Sequence, residues 1–108
     1  GRDYKAGEII FDEGEKGSEM FYILSGSVRL IKKEQTLRVM QNGEYFGEMA
    51  LLIGTPRTTS AQAEEDNTSL AVIGPENFEA LLREEPKIAI SFLKEFAHRL
   101  KKTNEILQ

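Results

Sequence analysis

Between Glu8 and Ile73 the chain is cut into short apolar runs, each closed by turn residues, with no helix of useful length between them. Glu8–Ile9–Ile10–Phe11 runs into Asp12–Glu13–Gly14–Glu15–Lys16–Gly17, and Met20–Phe21–Tyr22–Ile23–Leu24 into Ser25–Gly26–Ser27. Val28–Arg29–Leu30–Ile31 meets a polar turn at Lys32–Lys33–Glu34–Gln35, and Thr36 to Met40 ends at Gln41–Asn42–Gly43. Thr58 to Ala63 and Ser69 to Ile73 complete the series. Short strands at roughly ten-residue spacing with glycine-bearing turns predict a sandwich or barrel. A parallel sheet needs a crossover helix after each strand, so doubly wound and (β/α)8 folds are excluded.

The last third changes period. Pro75 after Gly74 suits a first helical position, and Phe78, Leu81 and Leu82 share one apolar face. Pro86 starts a second helix on which Ala89, Phe92, Leu93, Phe96, Ala97 and Leu100 form a stripe. No Gly or Pro interrupts Lys87 to Gln108, about 30 Å of helix at 1.5 Å per residue. Leu93, Phe96, Leu100, Thr103 and Leu107 follow a 3–4–3–4 spacing, as a dimer seam would. The expected division is a β portion over 1–74 and a helical portion over 75–108. The missing end signals suggest a domain cut from a longer chain.

Composition narrows the function. With 14 Lys plus Arg against 18 Asp plus Glu, the 108 residues carry a net charge of −4, and direct nucleic-acid contact is not expected. No apolar run reaches the ~20 residues that span a bilayer, and no secretory leader is visible at the start, so no membrane partner is expected. The absence of Cys excludes thiolate metal sites and fits a reducing cytoplasm. The single histidine, His98, lies among Glu95, Arg99 and Lys102, so it reads as solvated. It supports neither a metal site nor a nucleophile–His–Asp set, so no catalytic residue, metal or cofactor is expected. Lys94, Arg99, Lys101 and Lys102 complement a helix C-terminal dipole, and Glu64 to Asn67 forms a polar hairpin turn.

One segment, Asn42 to Ala63, is unlike the rest. Gly47 permits close backbone approach, and Glu48 to Leu52 can form a short helical turn with its N–H groups directed toward Gly47. Arg57 follows a Gly–Thr–Pro turn that would return its guanidinium over that turn, with the Thr58 hydroxyl beside it. Ionised Glu48 accepts hydrogen bonds only, which suits a sugar hydroxyl. Two readings stand at this point. Glu48 and Arg57 make a solvated surface ion pair worth ~0–1 kcal/mol, or they make the cradle of a ribose phosphate. Tyr45 and Phe46 read as core anchors in either case.

Gly47–Glu48–Met49–Ala50–Leu51–Leu52 followed by Gly54–Thr55–Pro56–Arg57–Thr58 closely resembles the phosphate-binding cassette of cyclic nucleotide-binding domains. This is the family of the bacterial catabolite activator, the protein kinase A regulatory subunit and the cyclic-nucleotide-gated channels. The resemblance covers nearly the whole chain. It includes Gly7 to Phe11, Glu13–Gly14–Glu15, Met20 to Leu24, Gly26 and Val28, then Pro75 to Leu82 as the B helix and Lys87 onward as the C helix. It implies a mainly β fold, an eight-stranded double-stranded β-helix (jelly roll) flanked by helices. It also implies that Arg57 pairs with the cyclic phosphate, Glu48 accepts from the ribose 2′-hydroxyl, Gly47, Met49 and Ala50 line the ligand, and Thr58 touches the phosphate. Arg99–Leu100–Lys101–Lys102–Thr103–Asn104 resembles the stretch of the catabolite activator that reaches the base. Thr103 would then meet the adenine amino group, while Asn104 departs from the serine found there. The function implied is a non-enzymatic sensor of a 3′,5′-cyclic nucleotide, with cAMP favoured over cGMP. It would signal through its C-terminal helix as a homodimer, to a transcription-factor type of output. The alternative is a dimerisation module of the same fold that senses another effector or none.

Overall fold

The computed structural model describes residues 1–107, with side chains described for 1–99, 101 and 102. The chain runs through β1 (Arg2–Tyr4), β2 (Ile9–Phe11), β3 (Met20–Ser25), β4 (Ser27–Lys32), β5 (Gln35–Gln41) and β6 (Tyr45–Phe46). A short helix α1 (Glu48–Ile53) precedes β7 (Ser60–Ala63) and β8 (Thr68–Ile73), and the chain closes with α2 (Pro75–Glu84) and α3 (Pro86–Leu107). The described strands form two four-stranded antiparallel sheets, ordered β1-β8-β3-β6 and β2-β7-β4-β5. Neighbours in each sheet are mostly distant in sequence, the mark of a jelly roll.

The period-two pattern chooses the faces. Phe21 and Ile23 on β3, Val28 on β4, Met40 on β5, Phe46 on β6, Ala61 on β7 and Leu70 on β8 are buried together with Phe11. Tyr22 and Leu24, the alternate residues of β3, are exposed. Three phenylalanines form the centre of this core. Phe11 lies 5.9 Å from both Phe21 and Phe46, and the latter two stack at 5.3 Å between centroids. Truncating such a ring costs ~3–5 kcal/mol.

The expected strands form, with four differences. β1 is polar and mostly exposed, so no apolar pattern announces it; it is held by pairing with β8, Arg2 opposite Leu70. β6 is only two residues long, and both are buried. Strand pairing expected from Thr58 begins at Ser60, because Arg57 pairs its backbone with the β2–β3 loop: its N–H donates to the Glu15 carbonyl at 2.9 Å and its carbonyl accepts from Gly14 at 2.7 Å. The β4–β5 turn narrows to Lys33 and Glu34, both at positive φ (49° and 69°), while Lys32 and Gln35 join the ladder. This is the geometry of a tight two-residue hairpin, here formed without Gly or Asn.

Residues form two compact units, Gly1–Pro75 and a second that begins at Glu76. Both C-terminal helices start on proline, Pro75 and Pro86. Phe78 of α2 meets Phe92 of α3 edge-on at 5.4 Å, and Phe92 meets Phe96 at 5.9 Å. The expected stripe on α3 therefore divides. Ala89, Phe92 and Phe96 are half-buried, while Leu93 and Ala97 are exposed, as is Ile90 outside the stripe.

Candidate functional site

The site is built around an arginine in the core. Gly54, at φ 68°, closes α1 by donating its N–H to the Ala50 carbonyl at 3.2 Å, and the irregular stretch after it leads back to the β2–β3 loop. That route carries Arg57 inward until the residue is only 7% exposed. Its Nη1 donates to the carbonyls of Glu19 at 2.9 Å and Gly47 at 3.2 Å. The guanidinium carbon sits 4.2 Å above the Phe11 ring and 5.7 Å from that of Phe21. The expected alternative of a solvated ion pair with Glu48 is not what forms, because Arg57 is buried and makes no ion pair among the described residues.

Electrostatics make this position costly. Burial pulls the Arg57 pKa below its ordinary value, while the more distant charges of Glu19 and Glu15 act in the opposite sense. The side chain stays protonated, as arginine does in proteins. The Glu19 carboxylate lies 3.7 Å from Arg2 and makes no ion pair with Arg57 among the described residues. Neutral carbonyls and ring faces thus take the place of a counter-ion, and a buried charge without one is destabilising.

Gly47 sits between this arginine and α1. Its φ of 82° is left-handed, and a Cβ there would lie 2.9 Å from Arg57 Nη1 and 3.3 Å from the Glu19 carbonyl oxygen. Both demands require glycine. Gly47 also occupies the N-cap of α1 without a capping side chain, and half-buried Glu48 opens the helix. One segment thus contributes a cation, a backbone carbonyl beside it and a carboxylate at the start of α1, a set that suits a ligand carrying both an anion and hydroxyls.

The other expected site residues are placed differently. Ala50 is buried under α1, Met49 is exposed on the same helix, and Thr58 is exposed beside Arg57. Thr103 and Asn104 lie on α3, in the second unit, with side chains outside the described residues. His98 is exposed, and no cluster of three or more metal-ligating side chains occurs among the described residues. Thr55 Oγ1 is buried with no hydrogen-bond partner among them. An open groove elsewhere in the first unit, lined by Asp3, Lys5, Glu8 and Asp66, contains none of the expected site residues.

Phe11, Gly17 and Glu19, which surround Arg57, carried no functional signal in the sequence. Phe11 reads as an ordinary strand residue, and Gly17 as one of several turn glycines. Their contact with Arg57 spans about forty residues, a separation that no local pattern reports.

The profile of the cyclic nucleotide-binding domain family matches residues 1–85. The cyclic AMP receptor protein of Thermus thermophilus is 37% identical over 108 residues, covering 95% of this chain and 50% of the receptor. A cGMP-dependent protein kinase of Toxoplasma gondii is 38% identical over 80 residues, covering 74% of this chain and 8% of the kinase. Among solved structures, the catabolite activator protein of Thermus thermophilus superposes with a TM-score of 0.88 at 35% identity, over 98% of this chain and 52% of that one. The chain thus spans about half or less of the length of these relatives. No described helix is long and apolar enough to cross a membrane.

Proposed function

The chain belongs to the cyclic nucleotide-binding domain family, and from that premise we propose that residues 1–108 are a sensor module in which Arg57 binds the cyclic phosphate. The observation that carries this reading is the buried Arg57 guanidinium with no carboxylate partner among the described residues. An arginine kept only for stability gains nothing from such a place. An arginine kept for an anion gains a charge-assisted contact in a dry setting.

The remaining roles are those that the family resemblance implies. Glu48 accepts from the ribose 2′-hydroxyl, Gly47, Met49 and Ala50 line the ligand, and Thr58 supplies a hydroxyl at the phosphate. Thr103 and Asn104 of α3 serve the base. The 1–74 β portion holds the ligand, and the 75–108 helical portion carries occupancy onward without catalytic chemistry of its own. We favour cAMP over cGMP, because the relative that matches 95% of the chain is named for cyclic AMP, whereas the Toxoplasma cGMP-dependent kinase matches 74%. A homodimer through α3, a transcription-factor type of output and a cytoplasmic setting belong to the same reading. Exposed Ile90 and Leu93 on α3 support the dimer, since apolar side chains of that size favour a partner surface. The alternative is a dimerisation module of this fold that senses another effector or none; sensing none leaves the buried cation without a purpose, and another effector would need an anion of its own for Arg57.

Calorimetric titration with cAMP and then cGMP tests the proposal. The expected result is a Kd near the micromolar range, about −8 kcal/mol, with the ratio of the two affinities assigning the base. Absence of heat with either nucleotide at millimolar concentration overturns it.

A further inference from the structure

Resting on the phosphate reading of Arg57, we propose that Gly17 is a positioning residue for that guanidinium, its missing side chain keeping the Nε and Nη2 edge open to the anion. The hydrogen-bond inventory of Arg57 locates the edge. Both acceptors of the side chain, the carbonyls of Glu19 and Gly47, are engaged by Nη1. The Nε–H and the two N–H groups of Nη2 have no acceptor among the described residues. Nε and Nη2 together form the planar fork that meets two phosphate oxygens at once. With Nη1 anchored and Phe11 stacked at 4.2 Å, the fork is held in one orientation before any ligand arrives.

Gly17 lies in the loop between β2 and β3 and is half-buried. A Cβ placed there would sit 2.6 Å from Nη2 and 2.9 Å from both Nε and Cζ, so the fork and a side chain at position 17 exclude one another. Backbone conformation does not explain this glycine, because its φ lies outside the left-handed region. Gly7 is the opposite case: its φ is 90° and a Cβ there meets nothing within 4 Å. Glycine at 7 is kept for conformation, and glycine at 17 for the space beside Arg57.

The test measures Gly17→Ala, Gly7→Ala, Arg57→Ala and the double variant Gly17→Ala/Arg57→Ala. Two readouts are used: cAMP affinity by calorimetry, and the Arg57 Nε–H resonance, assigned by its loss in Arg57→Ala. In Gly17→Ala the resonance moves in the free protein and affinity falls by about tenfold to a hundredfold, the effect of a lost charge-assisted hydrogen bond. On the Arg57→Ala background the same substitution costs nothing further. Gly7→Ala lowers the melting temperature and leaves the resonance in place. An unmoved resonance in Gly17→Ala, or an equal loss of affinity with and without Arg57, overturns the proposal. Should wild type bind neither cAMP nor cGMP, the phosphate reading falls, while the resonance in Gly17→Ala still decides whether Gly17 positions Arg57. Should Gly17→Ala prove too unstable to measure, recovery of folding in the double variant supports the clash, and failure to recover overturns it.

Discussion

Two arginines in the same β unit occupy opposite surroundings. At the β5 edge, half-exposed Arg38 donates from Nη2 to the Glu44 carboxylate at 2.8 Å. In the corner between α1 and the β2–β3 loop, Arg57 is almost wholly buried and meets carbonyls and rings in place of a carboxylate. The first arrangement is an exposed ion pair, worth ~0–1 kcal/mol and easily dispensed with. The second places a cation with little exposure and no carboxylate at ion-pair distance among the described residues, a cost that an incoming anion relieves. The difference separates an arginine that decorates the surface from one that receives a ligand. It is visible in burial and partners and not in residue type.

The largest expected effect that would break this contrast comes from Arg57→Met. The substitution keeps an apolar stem over Phe11 and removes the buried charge. Nucleotide affinity should fall by ~1.5–3 kcal/mol, the worth of a charge-assisted hydrogen bond. The melting temperature of the free protein should hold or rise, because buried charges are often replaced by apolar groups without loss. A large drop in melting temperature would mean that Arg57 is structural.

A second uncompensated polar group in the same corner extends the comparison. Thr55→Val removes the buried Oγ1 that lacks a partner. Thermal denaturation should show stabilisation of ~1 kcal/mol, since an orphaned buried hydroxyl costs about that much, with nucleotide affinity unchanged. Unaltered stability would indicate that a water already satisfies the hydroxyl.

Phe11→Leu sharpens the contrast from beneath the guanidinium. It conserves most of the apolar volume and deletes the ring face, so nucleotide affinity should weaken by ~0.5–2 kcal/mol, the range of a cation–π contact. The same affinity with Leu would show that the two carbonyls alone orient Arg57. The smallest effect is expected at the surface pair. Arg38→Ala should change stability by less than ~1 kcal/mol and affinity not at all, measured by the same melt and titration. A binding defect there would erase the distinction between the two arginines.

Much of the fold was legible in residue order. Six of the strands announced themselves as apolar runs between turns, and both C-terminal helices began at Pro75 and Pro86. Polar β1 and two-residue β6 did not, because pairing with β8 and with β3 holds them in the sheet without a pattern of their own. Within the candidate site, Gly47, Glu48 and Arg57 stood out because they sit close together in one segment. Phe11, Gly17 and Glu19 did not, since each comes to Arg57 from about forty residues away in sequence. On α3 the stripe of apolar residues was plain, yet helical spacing could not say that Phe92 would pack on Phe78 while Leu93 stayed exposed.

The sequence by itself determined that the chain is mainly β with two C-terminal helices, and that one segment carries an arginine, a carboxylate and closely spaced glycines. These are local properties, written in periods of two or 3.6 residues and in turn chemistry. Only the tertiary structure decided that Arg57 is buried rather than solvated, that its partners are carbonyls and rings, and that Nε and Nη2 meet no acceptor among the described residues. A side chain's charge is a property of its residue. The cost of that charge depends on what the fold packs around it.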